Sequence, residues 1–277
     1  MATETDEPHS RPPYWAAIAA VLLGLAAGFF AQVLTELVGT ALGSPSGHPT
    51  PAVYIVSNFA FDAAFVGAAL YFSAVGRWMG RREFGYVGTS WRLGAGAVVL
   101  AAVAYYLVTL AYSAVFRLHG TDRLPSSLGV HRSVWAAAFT ALFVCAVAPM
   151  AEEFFFRGFL FGILRRMSLR VGRGELGPWV AAVIVGLLFG LAHFDSAQPE
   201  FLIPLGFLGF VLCLVRWRTG SLYPGMVLHS INNSVAFAAN EHLGWSPVEV
   251  AALLLGSLAL IAVVTGPLAV RREGVRA

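Results

Sequence analysis

Apolar stretches of membrane-spanning length recur along the whole chain, separated by short polar segments. They predict an all-α, polytopic transmembrane helical bundle of about eight spans, near residues 14–42, 52–76, 94–116, 133–164, 179–195, 199–216, 222–240 and 247–269. The fourth stretch is too long for one simple crossing. Pro149 lies inside it and should kink or break the helix just before its most polar part. Only Phe194 to Gln198 separates the fifth stretch from the sixth, so one of the two is expected to be short or re-entrant. The pattern divides the chain into a disordered tail (1–13), N-terminal transmembrane helices (14–132), a core carrying the polar residues (133–240), and a last helix with a basic tail (241–277).

Composition agrees with a lipid setting. Of the 277 residues 58% are hydrophobic and 12% charged, and the mean hydropathy is +0.72, too apolar for a water-soluble domain of this length. Cys145 and Cys213 fall inside apolar runs without CxxC or Cys/His spacing, and read as packing residues rather than a disulfide or zinc framework. The first apolar run follows an acidic leader (Glu4, Asp6, Glu7) and exceeds a signal-peptide core, so it is expected to remain as a helix.

All 18 basic residues are arginines, and their placement predicts orientation. With the N-terminus cytoplasmic, the inside segments carry Arg11, Arg77, Arg81, Arg82, Arg92, Arg165, Arg166, Arg170, Arg173, Arg216, Arg218, Arg271, Arg272 and Arg276. The outside segments carry only Arg117, Arg123 and Arg132, and Arg157 lies within a span. Both termini are therefore expected in the cytoplasm. No basic run with interleaved aromatics marks a nucleic-acid surface.

Ionisable residues inside spans cost roughly 2.5–3.5 kcal/mol each at a helix centre, so they need a reason. Three clusters in the second half of the chain carry them. In Pro149-Met-Ala-Glu152-Glu153-Phe-Phe-Phe-Arg157-Gly158, Glu153 and Arg157 are four apart on one helical face in the favourable order for an ion pair. Glu152 is turned about 100° away and has no local partner, which suits a group that takes or gives a proton near neutral pH. In the second cluster Phe189 and His193 share a face; in the third, His229 and Asn233 do. A lone histidine in an apolar helix is usually a hydrogen-bonded core residue. Two histidines, a glutamate and an amide in successive apolar regions instead point to one shared, water-accessible cavity.

EExxxR at Glu152–Arg157, FxxxH at Phe189–His193 and HxxxN at His229–Asn233, in this order, resemble the CAAX prenyl protease 2 type of intramembrane glutamic endopeptidase, the CPBP or Abi family. The resemblance covers roughly residues 135 to 240. It implies a peptidase in a bacterial cell membrane, acting on a peptide or protein substrate that reaches the bilayer. Glu152 and His193 would activate a water for attack on a peptide carbonyl, and His229 and Asn233 would stabilise the oxyanion. The residues themselves agree: Glu152 can take the proton, His193 can share it, and His229 with Asn233 offers two donors on one face. Glu153 and Arg157 would be structural, with Phe189 supporting.

No cofactor is required by that reading. An alternative uses Glu152, His193 and His229 as zinc ligands, although HExxH spacing is absent. A second alternative is a non-catalytic protein or a proton-coupled transporter, since buried Glu, His and Arg in broken helices mark those equally. Among other polar positions, Asn58 and Asp62 are four apart, placed to line a cavity or pair with a neighbouring helix, with a structural hydrogen bond the favoured reading. Glu36, Glu241, His242 and Glu249 fall near helix ends, and Asp195 and Asn232 adjoin the motifs. Trp15, Trp78, Trp179 and Trp217 read as interface anchors.

Overall fold

The fold was analysed in a computed structural model that describes residues 11–47, 49–116, 134–171, 174–194, 196–240 and 246–271. Most of the expected N-terminal tail, the outside arginines Arg117, Arg123 and Arg132, and Asp195, Glu241 and His242 lie outside the described residues.

Helices α1 (Tyr14–Ala41) and α2 (Pro51–Gly76) form a hairpin. Its seam is set by small residues: side chains at Gly24 and Gly28 would meet the Phe65 and Phe61 rings at 2.5 and 2.6 Å. The glycines thus provide the hollows that the two phenylalanines fill. In lipid, where apolar side chains gain little by leaving their surroundings, such close fit is what joins helices. A one-turn helix, α3 (Arg81–Phe84), follows, and then α4 (Trp91–Phe116).

The next helix, α5 (residues 134–164), is the centre of the molecule. It runs as α-helix over Val134–Leu142, widens into π-helix over Phe143–Val147, returns to α over Ala148–Glu152, widens again over Glu153–Leu160 and closes as α over Phe161–Leu164. Pro149 therefore does not break the helix. A proline lacks the N–H that the preceding turn would use, and the helix continues through it with that turn widened. All eight residues of Glu153–Leu160 are buried. The consecutive Phe154, Phe155 and Phe156 project in successive directions and meet Phe84 of α3, Phe65 of α2 and Phe189 at centroid distances of 4.4, 4.7 and 5.2 Å.

A two-residue antiparallel pair, β1 (Arg170–Val171) with β2 (Gly174–Glu175), leads to α6 (Gly177–Ala192). A short turn at Pro199–Phe201 precedes α7 (Leu202–Thr219), which is followed by α8 (Tyr223–Asn240) and α9 (Pro247–Thr265). Helices α6 and α7 pack backbone to backbone: a side chain at Gly190 would meet the Leu202 carbonyl at 2.6 Å, and one at Gly186 the Gly206 carbonyl at 2.7 Å.

Each of the eight long helices expected from the apolar pattern is present, but six qualify among the described residues as candidate membrane spans by length and composition. Helix α6 has 16 residues, about 24 Å of rise against a hydrocarbon core of about 30 Å. Helix α8 is long enough but carries His229, Ser230, Asn232, Asn233 and Ser234, which lower its hydropathy. In the best windows 61% of α5 is buried against 17% of α2, α4 and α9, so α5 is enclosed while those three face outward. The tryptophans pair as end markers: Trp15 with Trp78, and Trp179 with Trp217, at 5.8 and 5.5 Å. Glu36 and Glu249 are exposed, and Glu249 caps α9 with Ser246. Cys145 and Cys213 are free and buried.

Candidate active site

The polar residues of the three motifs come from α5, α6 and α8. Glu153 and Arg157 of α5 form the ion pair expected from their spacing, at 2.9 Å, with both side chains buried. Arg157 is further held by the Gly209 carbonyl of α7 at 3.4 Å and by the face of Phe189, 4.2 Å from its centroid. A buried guanidinium with a carboxylate, a carbonyl and an aromatic face around it ties three helices together.

Glu153 does more than pair with arginine. The same Oε1 lies 3.1 Å from His229 Nδ1. A carboxylate oxygen accepts, so Nδ1 carries the proton and the imidazole turns Nε2 outward. Helix α8 can approach this closely because residue 225 is glycine, where a Cβ would sit 2.7 Å from Glu153 Oε2. His229 Nε2 in turn faces Glu152 Oε2 at 3.5 Å. The histidine is buried, whereas the Glu152 side chain retains 18% of its exposure. Glu152 Oε2 makes no hydrogen bond.

His193 closes α6 as its C-cap residue, half-buried, with Nδ1 2.8 Å from the Phe189 carbonyl. A carbonyl only accepts, so Nδ1–H donates and Nε2 is left as an acceptor. The Phe189 ring touches both imidazoles, with centroids 4.8 Å from His193 and 5.5 Å from His229. Asn233 takes a different position from its expected partner. Its Nδ2 donates to the Val144 carbonyl of α5 at 2.9 Å, and its Oδ1 accepts from Asn232 at 3.3 Å.

Sequence reasoning missed one relationship. The alignment of His229 by Glu153 crosses between helices and leaves no spacing to read. Asn58 makes the structural hydrogen bond expected of it, donating to the Tyr54 carbonyl of its own helix at 2.9 Å. Among the described residues no three His, Cys, Asp or Glu side chains are arranged to hold a metal ion.

Comparison with known proteins places these motifs. Residues 133–235 match the family model described as type II CAAX prenyl endopeptidase Rce1-like. The chain is 31% identical over 139 residues to an uncharacterized protein, YyaK, of Bacillus subtilis, which covers 47% of this chain and 43% of that protein. It is 29% identical over 143 residues to an uncharacterized 24.3 kDa protein of Escherichia coli, covering 52% and 60% respectively. The chain thus spans about half the length of the curated relatives it matches. No solved structure matches it. Glu152, Glu153, Arg157, Phe189, His193, His229 and Asn233 all fall inside the matched segment, and residues 133–235 form a domain of the Rce1-like type II CAAX prenyl endopeptidase family.

Proposed function

We propose that the chain is an intramembrane endopeptidase that hydrolyses a peptide bond with a water activated by Glu152 and His193. The observation that carries this reading is the meeting of an unbonded, partly open carboxylate, Glu152, with a buried imidazole, His229, at 3.5 Å, beside a second imidazole on the same Phe189 ring. Glu152 takes a proton from water, with the bare Nε2 of His193 as a second acceptor, and the hydroxide oxygen forms a bond to the carbonyl carbon. The carbonyl electron pair moves onto oxygen, where the second N–H of Asn233 donates to it, joined by Nε2–H of His229 in its doubly protonated, imidazolium form. Collapse of the tetrahedral species breaks the C–N bond, and the proton taken from water leaves on the amine.

Glu153 serves this scheme by accepting from His229 Nδ1–H, which aims Nε2 at the site and sets a carboxylate beside the imidazolium whose Nε2–H donates. The six candidate spans together with α6 and α8 make eight crossings, with both termini cytoplasmic and the site within the membrane. The substrate is a peptide or protein that reaches the bilayer. The reaction needs no metal in this reading.

Mass spectrometry of membrane peptides from cells carrying the parental protein or Glu152→Gln tests it. Peptide termini that disappear in the variant are expected; identical peptide sets at equal folded protein would refute the proposal.

A further inference from the structure

The π-turn before Glu152 leaves one carbonyl without a main-chain donor. Within Phe143–Val147 the Ala148 N–H reaches back five residues to the Phe143 carbonyl. In that register the next bond would run from residue 149 to the Val144 carbonyl, and residue 149 is proline, which has no N–H. Ala148, the donor an ordinary α-turn would supply to Val144, is already spent on Phe143. A carbonyl inside an apolar helical bundle must find a donor. Val144 finds it in another helix, where Asn233 Nδ2 lies 2.9 Å away. Asn232 holds the other end of that amide by donating to its oxygen at 3.3 Å.

We propose that Asn233, beside the donor role of its second N–H, has a positioning role: its amide stands in for the N–H that Pro149 lacks, and so latches α8 to the widened turn of α5. Two consequences follow from the spacing. Glu152 lies three residues beyond Pro149 and takes its direction from the turn that the latch stabilises. His229 lies one helical turn before Asn233 on the same face of α8, so the latch fixes the height at which its Nε2 meets Glu152. The widened turn, the proline and the asparagine therefore work as one unit. An N–H restored at residue 149 would make the asparagine dispensable for this purpose, whereas no change at residue 149 would replace an amide that acted on substrate alone.

This inference deepens the peptidase reading, and two of its three readouts do not depend on that reading. Parental protein, Asn233→Ala, Pro149→Ala and the double variant are compared after purification. Asn233→Ala is expected to lower Tm by roughly 5 °C through the orphaned carbonyl. His229, shielded in the parental protein, is expected to react with diethyl pyrocarbonate about tenfold faster in the folded variant, as local opening exposes it. Adding Pro149→Ala to Asn233→Ala should return both values to those of Pro149→Ala alone, a strongly non-additive cycle. Turnover per folded molecule should recover at least about tenfold in the same step, a factor within the range general acid–base positioning commands. Additive losses, or labelling of His229 that stays at the parental rate while Tm falls, would overturn the latch. If the parental protein cleaves nothing, the peptidase reading fails, while Tm and labelling still decide the latch.

Discussion

Glu153 and His229, 76 residues apart in the chain, meet at 3.1 Å through a carboxylate oxygen that also holds Arg157 at 2.9 Å. One buried oxygen thus links the ion pair that organises α5 to the imidazole that faces Glu152. Arg157 balances the charge, Glu153 sets the tautomer and His229 presents its second nitrogen to the site. Removing the arginine leaves a buried carboxylate uncompensated, which costs on the order of 3–5 kcal/mol. Arg157→Ala is therefore expected to lower folded yield sharply as well as cleavage, with yield read by size-exclusion chromatography in detergent. Full yield and parental Tm would show that the pair carries no structural weight.

Glu153→Gln separates alignment from charge. A glutamine oxygen can still accept from Nδ1, but it no longer balances Arg157 or a protonated His229. Turnover per folded molecule should fall by about 10²-fold, the scale of losing support for one oxyanion donor. An unchanged rate would mean that His229 is positioned by something else.

The α6–α7 seam offers a test of how tightly the His193 end is set. A methyl group at Gly190 would meet the Leu202 carbonyl at 2.6 Å, and backbone there has little freedom to retreat. Gly190→Ala should lower Tm by several degrees, since overpacking costs about 1–3 kcal/mol. Gly256→Ala is the control, because a side chain there meets nothing within 4 Å. Equal Tm values for the two variants would contradict the packing described.

Metal removal distinguishes the two hydrolytic routes that the same residues suggest. Exhaustive chelation, followed by elemental analysis, is expected to leave cleavage unchanged. Loss of activity that zinc restores would transfer Glu152, His193 and His229 to the role of ligands.

Much of the site was legible because its chemistry lies within single helices. The Glu153–Arg157 pair follows from a four-residue spacing, and Phe189 with His193 from another. The relations that cross between helices were not legible. Periodicity identifies the face of α8 that carries His229 and Asn233, but not that the first turns to Glu152 and Glu153 while the second reaches a carbonyl of α5. The same limit applies to the fold. Eight apolar stretches yield eight helices, yet the response of α5 to Pro149 depends on neighbours: a donor from α8 makes a widened turn cheaper than a break.

Cleavage by purified Glu152→Gln, compared with the parental protein on a peptide identified from Glu152-dependent termini, tests the central claim most directly. The amide retains the side chain's shape but cannot take a proton from water. A fall of about 10³-fold or more in turnover at unchanged Tm is expected, within the range for loss of a general base. Cleavage at the parental rate would contradict the account.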